Sequence, residues 1–189
     1  IKNHLKKFYT DLMPKTGNAT IGRKPGQYEW FEIQDNVAYW KEFEKPKIIY
    51  PNMTKYLPFV YDKGSFFIND KCFMITGEHL EYLTAFLNSK LFKFSYRDNF
   101  PELMGGTREL RKIFFDFIPV KKVDDITNNK FKSILDELVQ CKKSQIDSSH
   151  LEEKIDSMIF ELYGLTLEEK EIVNSAETQT QSILNEEII

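Results

Sequence analysis

The spacing of apolar residues predicts helices at both ends of the chain. Near its start, apolar residues recur at helical spacing over 5–12 and stop at Pro14, a residue that cannot continue a helix. Towards its end, they recur at helical spacing over 131–139 and again over 151–162. Two such helices joined by a short polar turn predict an antiparallel helical hairpin.

Capping sequences indicate where the later helices begin and end. Residues 149–152 have the pattern of a capping box, which predicts the start of the second hairpin helix. Gly164 predicts the end of that helix, because glycine is favoured just past a helix terminus. Residues 166–169 form another capping box, which predicts a brief third helix.

Short runs rich in β-branched and aromatic residues lie in the middle of the chain, as is typical of strands. These runs cover 47–50, 59–61, 66–68 and 72–75. The residues 62–65, Asp-Lys-Gly-Ser, predict a turn between the second and third runs. We therefore predict a meander of three or four strands.

Three later segments complete the prediction for the middle of the chain. Residues 78–88 place their leucines and Phe86 on one helical face. Residues 91–96 alternate apolar and polar side chains, which leaves an edge strand and a continued helix as alternatives. The apolar run 114–120 predicts a closing strand that is ended by proline.

The segment before the first strand holds a loop and a short helix. Residues 15–27 contain three glycines and a proline around a basic pair, a composition that predicts an exposed, mobile loop. After Asp35, a short helix is expected to carry Val37, Trp40 and Phe43 inward.

Together, these elements predict an α+β fold with a mixed or antiparallel twisted sheet and packed helices, followed by a C-terminal helical hairpin. Charge divides the chain near Lys122, since residues 1–122 hold 20 Lys and Arg against 14 Asp and Glu, and residues 123–189 hold 6 against 15. The first part also holds 24 of the 27 aromatic residues. We therefore predict a basic, aromatic-rich domain over 1–122, an acidic helical annex over 123–175 and a flexible tail over 176–189.

The motifs of several enzyme classes are missing from the sequence. It has no Asn-Pro-Pro-Tyr or Asp-Pro-Pro-Tyr run for a flipped adenine, and no glycine-rich loop after a strand for S-adenosylmethionine. The Glu-x-Lys triplets at 152–154 and 168–170 fall on predicted helix surfaces, and residues 105–107 lack the end of a phosphate loop. The histidines and cysteines lack metal-ligand spacing. We expect neither catalytic nor metal-binding residues in this chain.

Composition also bears on the compartment. No apolar stretch is long enough to span a membrane, and the distant Cys72 and Cys141 fit reduced thiols of the cytoplasm better than a disulfide. The chain starts at Ile1 without a secretory signal, so we expect a cytoplasmic piece of a longer polypeptide.

Basic, amide and tyrosine side chains placed near turns are the candidates for binding nucleic acid, because they can contact phosphates and base edges. These candidates are Arg23, Lys24, Tyr50, Asn52, Lys55, Tyr56, Arg97, Arg108, Arg111 and Lys112. Arg108, Arg111 and Lys112 would share one side of a helix after the Gly105-Gly106 turn and would present a basic face.

An ordered series of short motifs runs through the chain. It comprises 2–8, 28–35, 43–51, 67–73, 82–91, 105–106 and 117–120, with a helical ending at 161–166. This series resembles the TaqI-like specificity domain that follows the methyltransferase core in many Type II, and Type IIG-like, restriction-modification enzymes. The resemblance covers residues 1–122.

The resemblance implies a target-recognition domain that reads a short duplex site in the major groove while a separate catalytic domain flips an adenine. Its implied partners are double-stranded DNA and the methyltransferase core of the same polypeptide. The implied cofactors belong to that parent enzyme: S-adenosylmethionine, and Mg²⁺ where a nuclease is fused. We expect DNA readout from the loops 15–27, 51–58 and 97–112, because specificity domains must vary where they read different sequences.

Two alternatives stay open. The chain could be a protein-interaction module of a phage-defence system, or an independent nuclease that uses its Glu-x-Lys triplets. The positive balance of residues 1–122 is small for a DNA-binding domain, so we expect weak binding in isolation.

Overall fold

The structure of the protein is a computed structural model that describes residues 1–35, 38–56 and 58–186, with side chains as far as Ala176. Within this part of the chain the helices are α1 (Lys2–Leu5), α2 (Tyr9–Leu12), α3 (Leu80–Asn88), α4 (Lys90–Asn99), α5 (Lys112–Phe115), α6 (Asp125–Lys143), α7 (Ser149–Tyr163) and α8 (Leu167–Glu186). The strands are β1 (Lys47–Pro51), β2 (Met53–Thr54), β3 (Val60–Asp62), β4 (Cys72–Ile75) and β5 (Arg108–Glu109). Short 3₁₀ segments cover Lys6–Phe8, Ala38–Glu44 and Met104–Gly106.

The predicted α+β class is confirmed, with antiparallel sheets. The chain forms two compact units, Ile1–Lys41 and Glu42–Ile189. None of the helices that the structure describes is long and apolar enough to cross a membrane.

The smaller unit begins with the predicted helical segment. The α1–α2 stretch is interrupted by a 3₁₀ turn and ends at Leu12, because Met13 is extended ahead of Pro14. The expectation that Trp40 points inward is wrong. Its side chain is 46% exposed, with the Lys41 ammonium 5.8 Å from the ring centroid. Val37 lies outside the described residues.

The larger unit is built on a three-stranded antiparallel sheet with the order β3-β1-β4. Ile48 on β1 lies opposite Tyr61 on one side and Ile75 on the other. A simple meander would place β3 in the middle, so the predicted meander is wrong. The first strand is central because β3 and β4 pair with its two opposite edges.

The run 66–68 is not a strand, contrary to the prediction. The Asp62 carboxylate accepts hydrogen bonds from the backbone N–H groups of Ser65 and Phe66, at 3.2 and 3.1 Å. These bonds form the predicted turn, and the chain that follows leaves the sheet. Phe67 is 68% exposed and stacks on Phe43, with ring centroids 5.1 Å apart.

A buried ion pair joins β1 to β3. The Lys47 side chain is 0% exposed and the Asp62 side chain 2% exposed, and the ammonium donates directly to the carboxylate. Lys47 also donates to the backbone oxygen of Phe43 at 2.7 Å. Burial alone would raise the pKa of Asp62, but hydrogen bonds from Lys47, Phe66 and Ser65 outweigh burial and hold that pKa well below its usual value.

One hydrophobic core extends across the charge division near Lys122. It contains Ile48 of the sheet, Phe92 of α4, and Phe131 and Ile159 of the helical hairpin. The division in charge therefore does not separate two cores, since residues on both sides of Lys122 pack together within Glu42–Ile189.

Polar contacts reinforce this shared core. The Asn128 side-chain oxygen on α6 accepts from the backbone N–H of Tyr82 on α3 at 3.0 Å. The Asp156 carboxylate on α7 accepts from the N–H of Lys90 at the start of α4, at 2.8 Å. The hairpin thus supplies hydrogen-bond partners at two places on the central helices.

Residues 91–96 belong to α4, so the helical alternative holds. The predicted strand 114–120 is wrong, because α5 is followed by a turn in which Phe117 donates to the Phe114 oxygen and Ile118 to the Phe115 oxygen. The apolar side chains of 114, 115 and 118 face the core, whereas Phe117 is 77% exposed. Their spacing fits a helical turn better than a strand.

Both predicted hairpin helices form, but α6 extends beyond the predicted 131–139 at both ends, from Asp125 to Lys143. Ser148 rather than Ser149 is the N-cap of α7, and Ser149 bonds instead to Asp147. Helix α8 extends to Glu186 and is longer than the brief helix predicted. Gly164 ends α7 at φ 72° as expected. The capping box at 166–169 is confirmed by hydrogen bonds in both directions.

Replacing Lys47 with Met should lower the free energy of unfolding by about 3–5 kcal/mol, because it leaves the Asp62 carboxylate buried without its cation. Urea denaturation followed by circular dichroism measures this change. Lys45→Met is the matched control, because Lys45 is 60% exposed and pairs with Glu42 at the surface. The control should cost less than about 1 kcal/mol. Equal losses in the two variants would contradict a special role for the buried pair.

Candidate nucleic-acid interface

A two-stranded antiparallel ribbon joins two of the three segments expected to contact DNA. Met53 lies opposite Glu109 and Thr54 opposite Arg108, and the Asn52 oxygen accepts from the N–H of Leu110 at 2.8 Å. The segments 51–58 and 97–112 are therefore neighbours, although Leu57 is outside the described residues. We call residues 52–56 and 101–112 the ribbon surface. The segment 15–27 belongs to the smaller unit.

The tip of the ribbon surface is a glycine turn. Gly105 and Gly106 have φ values of 77° and 73°, a conformation that other residues adopt only with strain. The turn is closed by a hydrogen bond from the Leu103 N–H to the Thr107 oxygen at 2.7 Å. The Thr107 hydroxyl donates to the Met104 oxygen at 3.1 Å, and the Met104 residue is 97% exposed. The turn thus presents one long apolar side chain to solvent.

Arg108 stabilises the ribbon from within. Its guanidinium donates to the backbone oxygen of Phe100 and to the Glu102 carboxylate, and lies 5.7 Å from the centroid of the Tyr96 ring. The side chain is only 16% exposed. The Tyr96 hydroxyl also donates to the Thr54 oxygen at 3.4 Å. These contacts attach both ribbon strands to α4.

The predicted basic helical face does not form. Arg108 lies on β5, Arg111 is extended at the N-cap of α5, and Lys112 is the first residue of that helix. Arg108 cannot be helical because it bridges to Glu102 on one side and pairs with Thr54 on the other. The three cations therefore do not share one side of a helix.

Arg111 and Lys112 remain accessible, but each has an acidic partner. The Arg111 side chain is 60% exposed and lies 2.7 Å from the Glu109 carboxylate. The Lys112 side chain is 85% exposed, and its ammonium lies 3.3 Å from the Asp116 carboxylate. Their positive charge is therefore partly compensated before any phosphate approaches.

The remaining ribbon candidates differ in exposure. Tyr56 is 63% exposed, and its backbone N–H donates to the Thr54 hydroxyl at 3.0 Å. Lys55 is partly buried, and its side chain runs beside the tip, since a Cβ added to Gly106 would lie 3.6 Å from its Cε. The Asn52 side-chain oxygen is buried and accepts no hydrogen bond in the described structure.

Tyr50 lies on β1 and Arg97 on α4, so neither candidate is in a loop. Tyr50 is 5% exposed and packs against Phe59 and Phe115, and burial raises its pKa to about 12. The Arg97 guanidinium donates to the Ala176 oxygen at 2.9 Å and so joins α4 to α8. Both side chains hold the larger unit together.

The two candidates in the smaller unit have different surroundings. The Arg23 guanidinium donates to the backbone oxygens of Leu12 and Glu32 at 2.7 and 2.8 Å, and to two more carbonyls at 29 and 30. Such a set of bonds organises the predicted loop. Lys24 is 70% exposed and lies 4.0 Å from Asp35.

The Glu-x-Lys triplets contribute to helix packing and capping. Glu152 pairs with Lys142 across the hairpin at 2.7 Å, and Glu169 belongs to the capping box of α8. Among the described residues, no group of three or more His, Cys, Asp or Glu side chains could hold a metal ion.

Two features of the ribbon surface do not follow from the sequence patterns above. Met53 is 58% exposed and Met104 97% exposed, whereas those patterns indicate only basic, amide and tyrosine candidates. Glu102 and Glu109 compensate the neighbouring arginines. Their positions close to the basic residues in the sequence are the signal that could have indicated this pairing.

The structure is an α+β domain with a two-stranded antiparallel ribbon. The chain belongs to the family of TaqI-like C-terminal specificity domains, whose family model matches residues 2–120. It is also similar to the Type II methyltransferase M.BstVI of Geobacillus stearothermophilus, with 26% identity over 175 residues. That alignment covers 91% of this chain and 29% of the relative, so the chain spans less than a third of that relative's length.

Replacing Arg108 with Ala should lower the free energy of unfolding by about 1–3 kcal/mol, because it leaves a buried carbonyl and a carboxylate without their donor. Arg111→Ala is the matched control and should change stability by less than about 0.5 kcal/mol, since that side chain is exposed. Thermal and urea unfolding of the two variants measure the difference. A smaller loss of stability for Arg108→Ala than for Arg111→Ala would show that Arg108 does not hold the ribbon.

Proposed function

We propose that this chain recognises a short duplex DNA sequence for a restriction-modification system. The observation that carries the proposal is the match of residues 2–120 to the TaqI-like specificity domain. In this role the chain would position a separate adenine-N6 methyltransferase domain of the same polypeptide on its DNA site. The similarity to a Type II methyltransferase supports that partner.

Catalysis and cofactor binding are assigned to the rest of the proposed polypeptide. The relative is a methyltransferase, and less than a third of its length aligns with this chain. S-adenosylmethionine, which supplies the methyl group, would bind in the methyltransferase domain, while this chain would supply only position and sequence preference. Mg²⁺ would be needed only where an endonuclease is fused to the same polypeptide. We place the whole enzyme in the cytoplasm, with its DNA.

The ribbon surface is the proposed site of DNA contact. The major groove of B-form DNA is wide enough to admit a two-stranded β-ribbon, and β2 and β5 form such a ribbon. Lys55, Arg111 and Lys112 lie on or beside it and would contact phosphates. Because acidic residues compensate Arg111 and Lys112, phosphate contacts should position the domain with modest affinity.

A protein-interaction module of a phage-defence system is the second candidate function. The exposed Met53, Tyr56 and Met104 favour it, because methionine and tyrosine are enriched at protein interfaces. Binding of duplex DNA with a salt dependence that maps to the ribbon cations would favour DNA recognition over this candidate.

Replacing Lys55, Arg111 and Lys112 together with Gln should weaken duplex binding and flatten its salt dependence. The slope of log K against log salt should fall by about 0.9 for each phosphate that the variant no longer neutralises. Fluorescence anisotropy with random-sequence duplexes measures it, starting at low salt, where electrostatic binding is strongest. Arg108 is left intact because its replacement would disturb the ribbon.

The matched control replaces three exposed lysines of the helical hairpin, Lys130, Lys143 and Lys154, with Gln. Both variants have three positive charges fewer than the parent chain, so they change the net charge equally. The control should keep a slope close to that of the parent chain. An equal fall in the two slopes would indicate that DNA responds only to net charge and would exclude the ribbon surface as the contact.

A further inference from the structure

The ribbon surface combines exposed apolar side chains with compensated charges, and this combination points to a particular chemistry of DNA contact. Resting on the proposed function, we infer that Met53 and Met104 contact thymine 5-methyl groups in the major groove. The ligand class is therefore duplex DNA that carries thymine at the contacted positions.

Three exposed side chains with apolar surface lie on one hydrogen-bonded structure. Met53 is 58% exposed, Tyr56 63% and Met104 97%. Single exposed apolar residues are common on protein surfaces and need no explanation. Here three of them occur on two short segments that β2 and β5 hold side by side, which is the kind of grouping that marks a contact surface.

The charges around Met53 are compensated within the ribbon surface. Glu109 lies directly opposite Met53 in the ribbon register, and its carboxylate is 2.7 Å from the Arg111 guanidinium. Arg108, which precedes Glu109 on the same strand, donates to the backbone oxygen of Phe100 and to the Glu102 carboxylate. An apolar side chain offers a phosphate neither a charge nor a hydrogen-bond donor, so Met53 itself suits a base edge better than the DNA backbone.

Thymine supplies the apolar group that such a surface would contact. In the major groove each base pair presents a distinct pattern of donors and acceptors, and thymine alone among the four standard bases adds a 5-methyl group. Methionine is unbranched and adapts its shape to an irregular apolar partner. A methionine on the ribbon can therefore contact a thymine methyl group.

The tip has the geometry that this contact requires. The two consecutive glycines with positive φ form a narrow turn, and no side chain on 105 or 106 stands beside Met104. The hydrogen bonds between 103 and 107 and between 104 and 107 hold the turn in one shape. Met104 is thus carried outward on a closed turn, which limits the cost in conformational entropy when it enters a groove.

The test uses duplexes selected by the protein itself. A pool of random-sequence duplexes is enriched for binding to the full chain and then amplified with either dTTP or dUTP, so that the two products differ only in the thymine methyl groups. The chain should bind the uracil pool about fourfold more weakly for each methyl contact, the effect of exposing one buried methyl group. The double variant Met53→Ala/Met104→Ala should bind both pools equally.

A control variant and the remaining outcomes distinguish failure of the methyl-contact inference from failure of the proposed function. Ile126→Ala/Ile146→Ala removes two exposed apolar side chains from the helical hairpin region and should retain the thymine preference of the parent chain. A parent chain that binds both pools equally overturns the methyl-contact inference while leaving DNA recognition intact. A double variant that keeps the preference overturns it as well. Failure to bind any duplex overturns the proposed function, and the inference with it.

Discussion

The buried pair between Lys47 and Asp62 is the constraint on which the larger unit depends. A lysine ammonium without exposure needs hydrogen-bond acceptors around it, and here the carboxylate of Asp62 and the backbone oxygen of Phe43 accept from it. The same carboxylate accepts from the N–H groups of Ser65 and Phe66. One pair of residues thus fixes the start of β1, the end of β3 and the turn that follows.

The C-terminal end of β1 determines where the ribbon surface lies. Beyond Tyr50, which is buried in the aromatic core, the chain continues through Pro51 to Asn52. The Asn52 backbone donates to the Lys71 oxygen and accepts from the Leu110 N–H, each at 2.8 Å. Residues 71 and 110 belong to distant parts of the sequence, so this one residue connects the sheet to the ribbon. The rigid sheet therefore sets where the ribbon lies.

The elements that the sequence predicts well are those whose signals are local. The helices α3, α6 and α7 have apolar residues at helical spacing, so the sequence locates them, although it does not give the full length of α6. It also locates the strands β1, β3 and β4. The order of these strands in the sheet does not follow from the sequence. It depends on which strand edges pair, and the hydrogen bonds of that pairing join residues far apart in the sequence. The run 66–68 has strand-like composition, but Asp62 diverts the chain before it can pair.

In the candidate site, the sequence predicts where the residues lie better than it predicts what each side chain does. Composition indicates the segments 51–58 and 97–112, and the structure places them side by side. The role of Arg108 is not predictable from the sequence. One acceptor of its hydrogen bonds is the backbone oxygen of Phe100, and every residue type has a backbone oxygen. Tyr50 has the character of a polar aromatic residue near a loop, yet it is a core side chain, since the periodicity of β1 directs it inward with Ile48.

The acidic hairpin limits how this domain can bind DNA. Phe131 and Ile159 belong to the same core as Ile48 and Phe92, so the hairpin cannot be removed without exposing that core. Its excess of acidic residues therefore stays with the larger unit, and long-range attraction to phosphates is weak. A domain with little electrostatic attraction gains discrimination mainly from short-range contacts, because these depend on base identity whereas phosphate contacts do not. The apolar tip and the compensated arginines of the ribbon surface suit that requirement, and in the proposed function a linked catalytic domain would supply the remaining affinity.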